Sequence, residues 1–211
     1  MAIERDGAGH APTEAGGPIV GLRLFIAVHL DAPVRASLAA ASATLRAATS
    51  TLPVAWVASE NFHVTLKFLG DVDAAKVPEL IEGLHAAAAM HVAFEIEVSG
   101  LGAFPSPARP RALWAGIVAG VEPLAALARS IDDATVALGF PREVRAFSPH
   151  VTLGRVRDAR RAPALSDALR NTRHFGKVPV AHAALIHSDL SPRGARYTTL
   201  ASAPLERPRL T

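Results

Sequence analysis

The chain has 211 residues, of which 50% are hydrophobic, and its mean hydropathy is +0.24. That length and that apolar content are enough to bury one substantial core. The net charge is only +3, although 19 of the 22 basic residues are arginine, whose planar fork suits phosphate groups. Because the sequence has no cysteine, it excludes disulfides, thiolate nucleophiles and cysteine-based metal sites. Any chemistry must therefore use His, Asp, Glu, Ser, Thr, Lys or Arg.

The sequence has no segment typical of membrane insertion or export. No apolar run approaches the roughly 20 residues that a membrane helix needs, and the N-terminal stretch has early acidic residues and no apolar core of the signal-peptide type. We therefore expect a cytoplasmic protein without a membrane partner, and we expect it to be a monomer. Residues 1–20 are rich in Gly, Ala and Pro and lack apolar periodicity, which predicts a disordered N-terminal tail.

The first ordered elements that the sequence predicts are a strand and a helix. Residues 22–30, with the sequence LRLFIAVHL, form a short apolar run that ends at Asp-Ala-Pro, which is typical of a buried strand. A helix is predicted to follow, with Asp31 as its N-cap and Pro33 in its first turn. Two short extended segments are predicted after Pro53, namely VAWVA at 54–58 and FHVTLKFLG at 62–70.

The rest of the chain is predicted to continue as strands and helices. Residues 74–90 and 122–140 carry apolar residues at intervals of three and four, which predicts two helices, and Gly139 ends the second one. Further strands are predicted at 93–104, 111–120 and 147–156, a short helix near 162–171, and a closing β-hairpin at 180–190 and 195–202. The pattern indicates an α+β fold with two similar halves.

The tetrapeptide His-Val-Thr-Leu occurs twice, at 63–66 and at 150–153. Side chains alternate along a strand, so His and Thr of each copy share one face, roughly 7 Å apart, while Val and Leu share the other. The apolar pair can anchor the strand in a core while the polar pair faces a cleft. Two such strands around one cleft would present two imidazoles and two hydroxyls, which is a symmetric acid-base site. Either copy alone is explained as well by a structural histidine on an ordinary strand.

The repeated motif and its flanking sequences resemble the 2H phosphoesterase superfamily. The chain is similar in particular to the bacterial and archaeal RNA 2′,3′-cyclic phosphodiesterases, also called 2′-5′ RNA ligases (ThpR/LigT-like). The similarity rests on the segments RLFIAVHL, ENFHVTLKFLGDV, SPHVTLGRV and HSDLSPRGARYTTL. It implies an α+β, bilobal, duplicated fold, in which two antiparallel β-sheets with outer helices surround a central cleft with pseudo-two-fold symmetry. Residues 21–211 would form this single domain.

The resemblance also implies an activity and the residues that perform it. The activity is metal-independent hydrolysis of RNA 2′,3′-cyclic phosphate ends to 2′-phosphomonoesters, without a cofactor, and reversible 2′-5′ RNA ligation is a related activity of such enzymes. His63 would be the acid that protonates the 3′ oxygen and His150 the base that activates water, although the sequence alone does not order them. Thr65 and Thr152 would donate hydrogen bonds to the phosphate oxygens. The expected partner is an RNA end or a small nucleotide.

Two flanking residues extend the predicted site. Arg155 matches an arginine that similar enzymes use against the phosphate, and its alternative is a solvated charge at a strand end. Phe68 matches a position that stacks on the neighbouring base. On a regular strand, however, Phe68 would lie with Leu66 on the core face, and only a bulge or a strand end after Leu66 would return it to the cleft.

Other histidines and arginines compete for a place in the site. His29 ends the first predicted strand, and His182 and His187 lie in the predicted hairpin, where they are expected to be structural or exposed unless they line the cleft. The remaining histidines are His10 in the tail and His85 and His91 near a helix end. A basic rim, expected to attract RNA as a group, consists of Arg109, Arg111, Arg142, Arg145, Arg157, Arg160 and Arg161.

Three rival functions differ in class or in substrate. A zinc hydrolase is disfavoured, because the sequence has no H-E-x-x-H motif and no acidic ligand at helical spacing from either motif histidine. A non-catalytic module that binds RNA ends would use the same cleft but would not need an acid-base pair. The same fold could also act on another substrate, such as a cyclic phosphate of ADP-ribose or a linear 2′-5′ oligonucleotide, and the shape of the pocket decides between these.

Overall fold

The structure of the protein is a computed structural model that describes residues 21–50, 52–158, 165–169, 173–191 and 194–207. Its strands are β1 (Leu22–His29), β2 (Val54–Trp56), β3 (His63–Val72), β4 (Phe94–Phe104), β5 (Ala112–Ala119), β6 (His150–Val156), β7 (His174–Val180), β8 (His182–Ser191) and β9 (Gly194–Pro204). Its helices are α1 (Ala32–Ala48), α2 (Val77–Ala88), α3 (Val121–Ala137) and α4 (Leu165–Leu169). The tail predicted to be disordered, residues 1–20, lies outside the described residues.

The helix ends follow the predicted signals. The side chain of Asp31 accepts a hydrogen bond from the amide of Val34 at 3.2 Å, which confirms it as the N-cap of α1. Helix α3 ends two residues before Gly139, whose φ of 88° lies in the left-handed region that favours glycine. None of the helices in the described ranges combines the length and the apolar character that crossing a bilayer requires.

The strands form one curled antiparallel sheet built from two halves. The strand order is β7-β4-β5-β6-β3-β1-β8-β9, and β2 pairs with β6 beside this path. The halves β7-β4-β5-β6 and β3-β1-β8-β9 join where β3 meets β6, through the pair Val64 and Val151. The unit β1–α1–β3 recurs as β5–α3–β6, with the motif strand last in each unit. The predicted α+β class and internal duplication are therefore confirmed. The two antiparallel sheets that the resemblance implies are the two halves of this one continuous sheet, and they join at the two motifs.

The helices cover one face of the sheet and enclose the main core. Helix α1 packs against β7, and α2 packs against α3 and against the hairpin of β8 and β9. The apolar residues of both motifs belong to the large buried cluster under these helices: Val64, Leu66, Val151 and Leu153. A small second cluster, consisting of Phe25, Ala27, Ala184 and Ile186 with Tyr197 packed against it, lies apart from that core. Because side chains alternate along β1, this second cluster marks the opposite face of the sheet, which bears the cleft.

Strand β7 was not predicted from the sequence. It is the outer strand of its half, with β4 as its neighbour. Phe175, Val178 and Val180 are buried, but Gly176 and Pro179 interrupt the pattern that identifies a strand. A proline is tolerated in a strand that has a free edge, so the position of β7 at the end of the sheet explains how this segment can be extended.

Candidate active site

The two motif strands place their polar side chains in one cleft. Strands β3 and β6 are antiparallel neighbours, and Val64 and Val151 at their contact are fully buried. The histidines and threonines point to the other face. All six predicted site residues line this motif cleft, which has a volume of about 260 Å³: His63, Thr65, Phe68, His150, Thr152 and Arg155.

Both motif histidines are held by the same backbone contact. His63 Nδ1 lies 2.7 Å from the carbonyl oxygen of Asn61, two residues before it. His150 Nδ1 lies 2.8 Å from the carbonyl oxygen of Ser148, again two residues before. Because a carbonyl oxygen only accepts hydrogen bonds, Nδ1 must carry a proton and donate it in both rings. The Nε2 atom of each ring is therefore the one that can gain or lose a proton during a reaction.

The surroundings of His63 favour its neutral form. Burial lowers the pKa of His63 to about 4, against the hydrogen bond to the Asn61 carbonyl, and the nearby charges of His29, His150 and Arg155 lower it further. Its Nε2 lies 3.0 Å from Thr65 Oγ1, whose hydroxyl donates to the neutral ring. A phosphate anion in the motif cleft would add the negative charge that opposes these effects and raises the pKa.

Aromatic rings support both histidines. The Phe25 ring centroid lies 4.8 Å from that of His63, and Tyr197 meets His63 edge-on at 5.5 Å. Phe104 meets His150 edge-on at 5.0 Å. Such packing limits the rotation of the two imidazoles. Sequence reasoning missed these three aromatic residues as parts of the site, because their positions depend on which strands become neighbours.

Each motif strand carries a β-bulge at its leucine. The pairing of β3 with β1 skips Leu66, and the pairing of β6 with β5 skips Leu153. A bulge reverses the alternation of faces beyond it. The fifth residue after each histidine, Phe68 in β3 and Arg155 in β6, therefore returns to the motif cleft. The two halves thus present an aromatic ring and a guanidinium at equivalent positions.

The position of Phe68 differs from the one that a regular strand predicts. Regular alternation would bury it in the core, whereas its side chain is 61% exposed and lines the motif cleft. The sequence places Phe68 in the cleft only if a bulge or a strand end follows Leu66, and the structure has a bulge at Leu66. The ring centroid of Phe68 lies 6.0 Å from that of Phe25, so one aromatic surface runs from Phe68 to His63.

Arg155 connects the motif cleft with a larger groove beside it. The groove has a volume of about 640 Å³ and shares Val57, Phe68, Arg155 and Tyr197 with the motif cleft. Arg23, on β1, also lines it, and we refer to it as the Arg23 groove. A smaller space of about 140 Å³ adjoins His63 and Tyr197 and is lined in part by His29 and Thr199.

The competing histidines have other positions. His29 Nε2 lies 3.2 Å from Thr199 Oγ1, and burial together with the charge of Arg35 lowers the pKa of His29. His91 bonds Ser130 of α3 at 2.8 Å, which indicates a structural role. The described residues that line the motif cleft do not include His85, His91, His182 or His187. His10 lies outside the described part of the chain.

The predicted basic rim is not gathered at the motif cleft. Arg142 pairs with Asp132 and Asp133, and Arg145 pairs with Glu143. Arg155 is the one arginine among the described residues that line the motif cleft. None of the described members of the predicted rim lines this cleft. Arg160 and Arg161 lie outside the described residues.

The described ranges contain no group of three His, Cys, Asp or Glu side chains arranged to hold a metal ion. The chemical groups at the motif cleft are instead imidazoles, hydroxyls and a guanidinium. Two imidazoles can transfer protons, while hydroxyls and a guanidinium can hold phosphate oxygens.

Comparison with known proteins identifies the family. The family described as LigT like Phosphoesterase matches residues 28–114 and 117–197. The protein named RNA 2′,3′-cyclic phosphodiesterase of Methanothermobacter thermautotrophicus is 34% identical over 181 residues, covering 85% of this chain and 96% of that protein. Its namesake in Aeropyrum pernix is 39% identical over 151 residues, covering 71% and 85%.

Solved structures show the same fold. A protein of Thermus thermophilus superposes with a TM-score of 0.74 at 29% identity, covering 89% of this chain and 100% of that one. LigT of E. coli, in its crystal structure with 3′-AMP, superposes with a TM-score of 0.68 at 27% identity, covering 88% and 98%. With the family match, the sequence relatives and the shared fold in agreement, this chain belongs to the LigT-like phosphoesterase family.

Proposed function

We propose that this protein hydrolyses RNA 2′,3′-cyclic phosphodiester ends to 2′-phosphomonoesters, without a metal ion, by acid-base catalysis between His63 and His150. The observation that carries the proposal is the matched pair of imidazoles, each fixed through Nδ1 by a carbonyl and each lining the same cleft. The name that the relatives share, RNA 2′,3′-cyclic phosphodiesterase, supports the substrate class. The nucleotide in the E. coli LigT structure supports a nucleotide-sized site.

The reaction needs one proton acceptor and one proton donor. His150 Nε2 takes a proton from water as the water oxygen bonds to phosphorus, and the bond from phosphorus to the 3′ oxygen breaks. His63 Nε2 gives a proton to the departing 3′ oxygen, so the phosphate stays on the 2′ oxygen. Since the pKa of His63 is about 4 in the free protein, this order requires the phosphate anion to raise that pKa as it binds.

The remaining residues hold the phosphate and the adjoining base. Thr65 and Thr152 donate hydroxyl hydrogen bonds to the non-bridging oxygens, where negative charge builds up in the transition state. Arg155 contributes two parallel N–H donors to the same group. Phe68 offers an exposed ring on which the neighbouring base stacks. With a ribose 5′-hydroxyl in place of water as the nucleophile, the same displacement of the 3′ oxygen would form a 2′-5′ linkage, and the reverse of that step would break the linkage.

Product analysis tests the proposed function. The purified protein is incubated with an oligoribonucleotide ending in a 2′,3′-cyclic phosphate, in the presence of a chelator, and the hydroxyl that keeps the phosphate is identified by ³¹P NMR. We expect the 2′-phosphate alone. A 3′-phosphate product would reverse the assignment of the leaving oxygen. Binding without turnover would favour the non-catalytic module, and loss of activity with chelator would contradict metal independence.

Removing a threonine hydroxyl is expected to slow the reaction without weakening binding to the same extent. Thr65→Ala or Thr152→Ala should each cost on the order of 3 kcal/mol of transition-state stabilisation, about a hundredfold in kcat. Steady-state kinetics on a nucleoside 2′,3′-cyclic phosphate measures this effect. Thr65→Ser and Thr152→Ser, which keep the hydroxyl, are the matched controls and should retain most of the rate. An equal loss in the serine and alanine variants would argue against the hydrogen-bonding role.

A further inference from the structure

The Arg23 groove lies directly beside the motif cleft and is larger. The motif cleft, at about 260 Å³, is smaller than the 300 to 1,000 Å³ that is common for small-molecule pockets. The Arg23 groove adds about 640 Å³ and opens into the cleft at Phe68, Arg155 and Tyr197. Beside Phe104 and His150 the motif cleft also adjoins a space of about 380 Å³, but the described residues that line it include no arginine or lysine. A ligand longer than one nucleotide therefore has room on the Arg23 side.

The chemistry of this groove suits a single nucleic-acid strand. Its walls include the aromatic rings of Trp56, Phe68 and Tyr197, which are surfaces on which bases stack. The described lining of the groove contains one acidic residue, Glu60, and several arginines, including Arg23 and Arg155, so positive charge predominates there. Burial raises the pKa of the Tyr197 hydroxyl, while the positive charges of Arg155 and Arg23 lower it. The charges of the two arginines are therefore both felt at the wall that Tyr197 forms.

Arg23 is placed beyond the reach of the reacting phosphate itself. It shares the cleft face of β1 with Phe25 and Ala27, and Ala27 is opposite Thr65. From Ala27 to Arg23 the strand advances four residues, or roughly 13 Å. The Arg23 side chain is exposed. Asp71 is opposite it in β3, and no ion pair between the two is found within the described chain. The guanidinium is thus available to an anion at the far end of the groove.

We propose that the Arg23 groove binds the body of the RNA strand, so that the nucleotides 5′ to the cyclic phosphate run from the two histidines towards Arg23. This inference rests on the proposed function and extends it from the reacting group to the polymer. Arg23 contacts a backbone phosphate next to the terminal one, while the aromatic walls stack the bases between. The protein therefore selects strand ends over free cyclic mononucleotides.

Charge reversal at Arg23 tests this path with two substrates. The kcat/KM values are measured for a pentaribonucleotide ending in a 2′,3′-cyclic phosphate and for a nucleoside 2′,3′-cyclic phosphate. We expect Arg23→Glu to lower the value for the pentanucleotide about tenfold more than the value for the mononucleotide. Arg129→Glu makes the same charge change on the exposed face of α3. It should leave the ratio of the two values at that of the wild type.

The outcomes separate this inference from the proposed function. Equal losses on both substrates in Arg23→Glu, or an equal change of the ratio in Arg129→Glu, would overturn the RNA path. If the wild type hydrolyses neither substrate, the proposed function fails. The path is then tested by fluorescence anisotropy with a labelled pentanucleotide ending in a 2′-phosphate. Weaker binding in Arg23→Glu but not in Arg129→Glu supports the path, and unchanged binding overturns it. Circular dichroism melts verify that both variants are folded.

Discussion

Replacing either motif histidine by alanine is expected to abolish measurable hydrolysis of a nucleoside 2′,3′-cyclic phosphate. In the proposed mechanism each imidazole supplies one of the two proton transfers, and positioned acid-base groups contribute about 10²- to 10⁴-fold each. The fold should survive, because Val64 and Val151, rather than the histidines, anchor the motif strands in the core. Initial rates of His63→Ala and His150→Ala, measured beside thermal melts, test this expectation.

The control for the histidine variants is an equivalent change elsewhere. His182→Ala removes an exposed imidazole at the start of β8, outside the described lining of the motif cleft, and should retain the wild-type rate. A single motif variant that remains folded and keeps a substantial rate would show that one imidazole suffices. The paired roles would then have to be abandoned.

Loss of the Asp132 charge is expected to destabilise the whole fold. Lys67 follows the first motif, and its side chain is 5% exposed while that of Asp132 is 13% exposed. The ammonium donates to Asp132 and to the carbonyl oxygen of Pro141, in the segment that leads to β6. Asp132→Asn leaves this buried charge without a counter-ion, which should cost about 3 kcal/mol of unfolding free energy. Urea unfolding measures the difference.

A neighbouring carboxylate provides the matched control. Asp133 also lies on α3 and pairs with Arg142, but its side chain is 66% exposed, so Asp133→Asn should change the stability by less than about 1 kcal/mol. Burial would raise the pKa of Asp132, but hydrogen bonds from Lys67 and the Glu143 amide and the charges nearby hold it below its usual value. Its contribution is therefore present above the unfolded pKa of about 3.9 and is lost as the pH falls through the folded pKa. Equal losses in the two variants would contradict a specific role for the buried pair.

Much of the fold could be predicted because local signals agree with the final structure. The N-cap at Asp31, the stop at Gly139 and the apolar stripes of the helices need no tertiary information. The segment of β7 could not be recognised in this way, because its Gly176 and Pro179 are acceptable only at the outer edge of the sheet. That edge exists only once the strand order is known.

In the candidate site, too, the features set by local sequence could be predicted, whereas those set by strand pairing could not. The repeated His-x-Thr spacing predicts which side chains share a face, and the structure brings both pairs to one cleft. The place of Phe68 depends on a bulge at Leu66, which is a property of pairing with β1 and has no signature in the motif. Arg23 was not singled out from the sequence for a related reason, since its place in the groove beside the motif cleft follows from strand pairing between β1 and β3 and not from proximity in sequence.

The convergence of both imidazoles on one phosphate is tested most directly by a histidine NMR titration with 2′-AMP, the mononucleotide product. The ring resonances of His63 and His150 should shift together, with a single dissociation constant and one nucleotide bound per chain. The pKa of His63 should rise from about 4 when the nucleotide binds, because the phosphate charge stabilises the protonated ring. A response from only one of the two rings, or a pKa of His63 that does not rise, would contradict a shared phosphate site.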